Sequence, residues 1–147
     1  MDDNLRREII LENYQDPCNK GLKKESDYYR INTRSESCID NLDFEMKFDD
    51  DKILDIRFDG EACAISTSAA SILIKELLGK SVDDALEILN NYKNMINEME
   101  YDEEKIGELV VYDEIYKQPN RKNCALLPGL AIDNLINELN NKKNWYN

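Results

Sequence analysis

Three thiols and one carboxylate stand where the sequence changes from one structural pattern to the next. Cys63 lies between a strand-like stretch and a helical one, Cys38 and Asp40 share a polar loop, and Cys124 precedes another apolar helical stretch. Unpaired N–H groups and the dipole at a helix start stabilise a thiolate, the form of cysteine that attacks electrophiles and binds metals.

Together these four residues offer three sulfurs and one oxygen, a donor set that suits a closed tetrahedral zinc site. Their spacing contains no CxxC pair, so the pattern alone favours a metal site no more than it favours scattered core cysteines. Asp40 taken alone is typical of a turn residue. Cys18 follows Asp16-Pro17 in a separate loop without ligand-like neighbours, and we do not expect it in a site.

The amino-acid composition limits the partners and reactions that the protein can have. The chain has 147 residues with 19 basic and 31 acidic side chains, for a net charge of −12, which argues against a nucleic-acid partner. Because it has no histidine, a metal site must use sulfur and oxygen, and no imidazole can act as a base. No secretory signal or membrane-spanning segment is visible, so we expect a cytoplasmic protein whose cysteines are reduced. The length fits one domain, residues 1–147.

The elements that must position the site form an α+β pattern. Residues 4–14 predict an amphipathic helix, and residues 28–33, 42–48 and 53–58 predict a three-stranded antiparallel meander. In such a meander the loop holding Cys38 and the end of the third strand, which leads to Cys63, lie at the same end of the sheet.

Helical spacing resumes after Cys63 and continues to a glycine stop at Gly79, and Ser81 is placed to cap the next helix. Residues 106–116 fit either a short helix or a partly buried connection. Pro128 is expected near the first turn of the last helix, so we expect Cys124 at or just before its start, with helical spacing from about residue 131. Residues 140–147, including Trp145, are expected to form a frayed tail.

The chain resembles the U-type iron–sulfur assembly proteins, namely IscU, the NifU N-terminal domain and SufU. The resemblance spans nearly the whole sequence and rests on four motifs in order. They are Glu12-Asn13-Tyr14-Gln15-Asp16-Pro17-Cys18-Asn19-Lys20-Gly21, Cys38-x-Asp40, Gly60-Glu61-Ala62-Cys63-Ala64-Ile65-Ser66, and Arg121-Lys122-Asn123-Cys124-Ala125-Leu126-Leu127-Pro128.

Two features resemble the SufU branch in particular. An insert covers about residues 94–116, and Asn123 stands where IscU proteins have a histidine before the last cysteine. Two positions depart from the family pattern without removing a ligand: Ile39 replaces a glycine, and Gly129 replaces an aromatic residue.

The resemblance implies an IscU/SufU-like fold and a Zn²⁺ ion held by Cys38, Asp40, Cys63 and Cys124. It also implies a partner cysteine desulfurase of the SufS type, whose persulfide sulfur passes to Cys38, and downstream proteins that accept the sulfur or cluster. Arg121 matches an arginine that supports this site in SufU proteins.

The sequence leaves three functions open. The favoured one is a zinc-dependent sulfurtransferase, the second is a scaffold on which an iron–sulfur cluster is built by the same ligands, and the third is a structural zinc adaptor.

Overall fold

A computed structural model describes residues 1–35 and 39–146, with side chains described as far as Lys143. The chain begins with helix α1 (Asp3–Gln15) and continues through strands β1 (Tyr29–Arg34), β2 (Asn41–Asp49) and β3 (Lys52–Glu61). Helices α2 (Ala64–Leu77) and α3 (Val82–Ile96) follow. Three short 3₁₀ turns (Glu103–Lys105, Gly107–Tyr112 and Ile115–Lys117) then lead to helix α4 (Pro119–Tyr146).

The three strands form the predicted antiparallel meander in the order β1-β2-β3. Phe44 pairs with Phe58, and Asn41 pairs with Glu61 at the end of the sheet that leads into α2. Alternate side chains of β2 and β3 fill the core, as the period-two pattern predicts: Leu42, Phe44, Met46, Ile56 and Phe58. The register therefore brings the β1–β2 loop to the start of α2.

The loop after α1 lies along the outer edge of β3. The Gly21 N–H donates to the Phe58 carbonyl at 2.7 Å, and the Phe58 N–H donates to the Asn19 carbonyl at 3.2 Å. This short parallel bridge pairs backbone groups of β3 that would otherwise face solvent.

Helix α2 is the centre of the molecule. It contacts α1, α4 and β3 and is buried on nearly every side rather than along one stripe. Several of its buried residues are small or hydroxylic: Ser66, Thr67, Ser68, Ala69, Ala70 and Ser71. Small side chains allow neighbouring elements to approach closely, and the hydroxyls provide internal partners for buried polar groups.

Helix α4 departs from the sequence prediction at its start. It begins at Pro119, so Pro128 lies inside the helix and Cys124 lies in the second turn rather than at or before the first. Proline cannot donate a hydrogen bond to the carbonyl four residues earlier, which here belongs to Cys124. The Ser66 hydroxyl lies 2.9 Å from that carbonyl, and the Tyr92 hydroxyl donates to the next one, of Ala125, at 2.8 Å. Hydroxyls from α2 and α3 thus lie against the carbonyls where the helical ladder is interrupted.

The segment between α3 and α4 resolves the ambiguity over residues 106–116. It forms 3₁₀ turns whose apolar side chains enter the core: Ile106, Leu109, Val111, Tyr112 and Ile115. Helix α4 also continues through residues 140–146, where the sequence predicts a frayed tail.

Within residues 1–35 and 39–146, no helix combines the length and apolarity needed to cross a bilayer.

Gly60 provides a test of the junction between β3 and α2. Its φ of +125° disfavours any side chain, and a Cβ at this position would collide with the carbonyl oxygen of Asn41 across the sheet. We expect Gly60→Ala to lower the free energy of unfolding by about 3 kcal/mol or more, because strain and a backbone clash add together. Urea denaturation of the metal-free protein measures the change.

Gly21 is the matched control, because its φ is +120° but no atom lies within 4 Å of the corresponding Cβ position. Gly21→Ala should cost only the conformational strain, roughly 1–2 kcal/mol. Equal losses at the two positions would contradict the close approach of Gly60 to β2.

Candidate metal centre

Asp40, Cys63 and Cys124 come together at one end of the sheet. Their potential ligand atoms, one from each side chain, all lie within 4.8 Å of one another. The β1–β2 loop contributes the carboxylate, the start of α2 one thiol and the second turn of α4 the other. The fourth predicted ligand, Cys38, is outside the described residues, so the site as described contains two sulfurs and one oxygen.

The Asp40 carboxylate is almost completely buried, with 2% of the residue exposed. Its Oδ1 accepts a hydrogen bond from the Cys63 backbone N–H at 2.7 Å, and its Oδ2 accepts one from the Ser66 hydroxyl at 2.6 Å. Burial, the largest single influence, would raise the pKa of Asp40, but the donors from Ser66 and Cys63 outweigh it and hold the pKa below its usual value. The carboxylate is therefore fixed and ionised at neutral pH.

Cys63 occupies the junction that the sequence predicts. It is the N-cap of α2, with extended backbone geometry, and its sulfur accepts the Ser66 backbone N–H at 3.5 Å. The same sulfur lies 3.8 Å from Asp40 Oδ2. The helix start thus holds this thiol beside the carboxylate.

Cys124 occupies a different environment from the one expected. Because it lies in the second turn of α4, its sulfur does not cap the helix, and it is 3.6 Å from the Asn120 carbonyl of the preceding turn. Burial raises the pKa of the Cys124 thiol, and the neighbouring Asp40 and Cys63 raise it further. In the protein without a cation, this thiol is protonated at neutral pH.

These three groups suit a thiophilic cation. A tetrahedral zinc ion with Zn–S bonds of about 2.3 Å separates two sulfurs by roughly 3.8 Å, and a sulfur and an oxygen by slightly less. The observed separation of Cys63 Sγ and Asp40 Oδ2 is 3.8 Å. A divalent charge would also offset the repulsion between a carboxylate and two thiolates in a buried site. The donor types fit zinc or an iron–sulfur cluster equally well.

Two other residues considered in the sequence analysis lie apart from this cluster. Arg121 is exposed in the first turn of α4, and no ion pair joins it to Asp40 among the residues that the structure describes. Cys18 is only partly exposed, and its backbone N–H donates to the Ser71 hydroxyl at 2.9 Å. The described cluster of metal-ligand side chains does not include Cys18, whose exclusion from the site stays a prediction.

Sequence reasoning missed the contribution of Ser66. Its hydroxyl lies within hydrogen-bond distance of the Asp40 carboxylate and of the Cys124 carbonyl, yet the periodic pattern assigns this residue only to a core helix. A signal does exist in the spacing. A residue three positions after an N-cap faces back towards that cap, so a serine following Cys63 at this interval points into any site built on Cys63.

Proteins similar to this chain carry names that refer to zinc or to iron–sulfur clusters, the two kinds of centre that the donor set fits. Residues 5–125 match the family model described as the NifU-like N terminal domain. A Bacillus subtilis protein named zinc-dependent sulfurtransferase SufU is 32% identical over 132 residues, which is 89% of this chain and 88% of that protein. A Streptococcus pyogenes protein named iron–sulfur cluster assembly scaffold protein IscU is 32% identical over 107 residues, or 72% of this chain and 67% of that protein.

Solved structures share the fold. A putative iron–sulfur cluster assembly scaffold protein for the SUF system from Fervidobacterium islandicum superposes with a TM-score of 0.78 at 28% identity, covering 88% of this chain and 94% of that one. The N-terminal part of a NifU-like protein from Brucella abortus gives a TM-score of 0.84 at 18% identity, with 95% and 97% of the two chains covered. This second likeness concerns the fold alone.

The environment of Cys124 predicts its reactivity. In metal-free protein at about pH 8, we expect iodoacetamide to label Cys124 at least about tenfold more slowly than Cys18, because the Cys124 thiol is buried and its raised pKa leaves little thiolate. For the same reason, its rate should keep rising as the pH becomes more alkaline. Mass spectrometry of the labelled peptides measures both rates, and labelling in denaturant, where the two thiols should react alike, is the control. Comparable rates in the folded protein would contradict the described burial.

Proposed function

The chain belongs to the NifU-like N terminal domain family and is a U-type iron–sulfur cluster assembly protein, and we propose that in this role it is a zinc-bound sulfur acceptor. The observation that carries the proposal is the convergence of Asp40, Cys63 and Cys124 within 4.8 Å. The extensive similarity to a protein named as a zinc-dependent sulfurtransferase supports it.

The proposed zinc ligands are Cys38, Asp40, Cys63 and Cys124. Cys38 is two residues from Asp40 in the chain, so covalent geometry keeps their Cα atoms within about 7 Å of each other. Bound zinc would keep the thiols deprotonated at neutral pH, including that of Cys124, which burial otherwise keeps protonated. Asp40 and Cys63 are already held in place by the hydrogen bonds between them.

Cys38 is the proposed sulfur acceptor. A cysteine desulfurase, of the SufS type by resemblance, would present a cysteine persulfide. The Cys38 thiolate attacks the terminal sulfur, a new S–S bond forms on Cys38, the S–S bond of the donor breaks, and the desulfurase cysteine leaves as a thiolate. This exchange needs no added oxidant or reductant. The sulfur would then pass to a downstream acceptor of sulfur or cluster.

Residue positions make Cys38 the best candidate for release from the metal. Cys63 caps α2 and Cys124 lies within α4, so moving either sulfur away would disturb a helix. Cys38 belongs to the loop whose ends are joined by the hydrogen bond from the Ser35 N–H to the Asp40 carbonyl at 3.1 Å. Arg121, exposed one turn before Cys124, is proposed to support a released thiolate electrostatically.

A scaffold function is the second candidate, and one observation favours it. The Streptococcus relative, as similar over its matched length as the Bacillus one, is named as a scaffold protein. The same sulfur and oxygen donors can bind iron of a cluster. A structural zinc adaptor would differ from both by taking up neither sulfur nor iron. We also propose a cytoplasmic location, because unpaired thiols of this kind need a reducing compartment.

Metal content separates these functions. Protein purified without oxygen should contain about one zinc per chain and no acid-labile sulfide. Asp40→Ala should weaken zinc binding by at least about tenfold in a chelator competition, because the site loses its buried carboxylate. Asp43→Ala removes an exposed carboxylate from β2 and is the control, with zinc affinity unchanged. Iron with matching sulfide would favour the scaffold, and an unchanged affinity in Asp40→Ala would remove Asp40 from the ligand set.

Sulfur uptake tests the acceptor. After incubation with a desulfurase and cysteine, peptide mass spectrometry should find the added sulfur on Cys38. Adding the protein should also raise desulfurase turnover, because it removes the persulfide sulfur. Cys38→Ala should abolish both the label and this rise. Cys18→Ser is the matched control and should behave as the wild type. Undiminished sulfur uptake by Cys38→Ala would show that another thiol is the acceptor.

A further inference from the structure

The Ser66 hydroxyl contacts all three residues of the described metal centre, Asp40 and Cys63 through their side chains and Cys124 through its backbone carbonyl. The Ser66 side chain is fully buried, and its Oγ lies 2.6 Å from Asp40 Oδ2, 2.9 Å from the Cys124 carbonyl oxygen and 3.7 Å from Cys63 Sγ. A buried hydroxyl with partners on three different elements is more than a space-filling residue of α2.

The contact with Cys124 exists because of Pro128. In an uninterrupted helix the Cys124 carbonyl would accept the N–H of residue 128, but proline has none. The Cys124 carbonyl therefore lacks its usual helical donor, and the Ser66 hydroxyl, whose single proton it shares with Asp40, lies 2.9 Å from it. Through this contact, the turn of α4 that carries the Cys124 thiol is joined to α2.

The contact with Asp40 fixes the orientation of its carboxylate. The Cys63 N–H holds Oδ1 and the Ser66 hydroxyl holds Oδ2, so rotation of the carboxylate about its last bond would break two short hydrogen bonds. Oδ2 is also the oxygen placed 3.8 Å from Cys63 Sγ. The oxygen that faces the thiol is therefore the one that Ser66 positions.

We propose that Ser66 is the positioning residue of the metal centre, orienting the Asp40 carboxylate and coupling it to the backbone of Cys124 so that the donors are in place before a cation binds. This inference rests on the proposed metal-binding function. Groups that orient metal ligands typically change metal affinity by about 10- to 100-fold when removed. A merely structural serine would change the stability of the protein without changing its metal affinity.

The same helix offers a matched control. Ser71 is also fully buried on α2, but its hydroxyl donates to Asn13 at 2.8 Å and lies outside the metal centre. Zinc affinity is measured by chelator competition for the wild type, Ser66→Ala and Ser71→Ala, and urea denaturation of the metal-free forms gives their stabilities. We expect Ser66→Ala to bind zinc about 10- to 100-fold more weakly and Ser71→Ala to match the wild type within about twofold, although both lose a buried hydrogen bond.

Two further measurements assign the effect to the hydroxyl and to Asp40. Ser66→Thr keeps the hydroxyl and should stay within about threefold of the wild type. If Ser66→Ala does not fold, Ser66→Gly, which also removes the hydroxyl, takes its place and should weaken zinc binding to the same extent. In an Asp40→Ala background, Ser66→Ala should have most of its effect removed, as expected for residues that act as a pair. Co²⁺ absorption spectra should differ between the wild type and Ser66→Ala, because an altered carboxylate changes the ligand field.

The outcomes separate this inference from the proposed function. Wild-type protein that binds no zinc or iron would overturn both. Zinc-binding wild type with equal affinity in Ser66→Ala, or a Ser66→Thr variant that binds as weakly as expected for Ser66→Ala, would overturn the role of Ser66 alone. Full additivity with Asp40→Ala would show that Ser66 does not act through the carboxylate.

Discussion

The buried Asp40 carboxylate is the constraint on which the site end of the molecule depends. A carboxylate removed from water must be compensated by donors, and hydrogen bonds to a charged group contribute about 1.5–3 kcal/mol each. Both donors come from the N-terminal end of α2, one from the backbone of Cys63 and one from the side chain of Ser66. The loop between β1 and β2 is thus secured to α2 by the same bonds that orient a potential metal ligand.

This arrangement makes α2 the element that organises the others. Its small residues admit close neighbours on several sides, and its hydroxyls satisfy polar groups at each contact. Ser66 faces Asp40 and α4, Ser68 pairs with the Tyr112 hydroxyl at 2.5 Å, and Ser71 donates to Asn13 of α1. Three serines of one helix therefore connect it to the loop before β2, the 3₁₀ segment, α1 and α4. The geometry of the metal centre therefore depends on a core that is not uniformly apolar but contains hydrogen-bonded hydroxyls at the contacts of α2 with its neighbours.

Local sequence patterns were sufficient to predict most of the fold. Alternation along β2 and β3 predicts the meander, and Ser81 caps α3 as its position suggests. Cys63 lies at the junction where a strand, a glycine and a helical stripe meet. These features depend on short-range periodicity and on capping, which a sequence displays directly. The resemblance to a family added the grouping of thiols that spacing alone could not favour.

The sequence-based predictions fail where a side chain that is distant in the sequence alters the local structure. Pro128 predicts a helix start, but α4 begins at Pro119, and hydroxyls from α2 and α3 lie within hydrogen-bond distance of the carbonyls near Pro128. Ser66 escaped notice because its partners lie 26 and 58 residues away in sequence. Residues 106–116 fit no single period because they form successive 3₁₀ turns. The placement of Cys38 stays a prediction.

The bridge between the loop after α1 and β3 has a consequence for how the protein behaves in solution. An open strand edge can recruit a second chain, which leads to aggregation or swapped assemblies. Residues 19–21 already occupy the hydrogen-bonding groups of Phe58, five residues before Cys63. The loop thereby prevents this stretch of the β3 edge from pairing with a strand of another chain close to the metal centre.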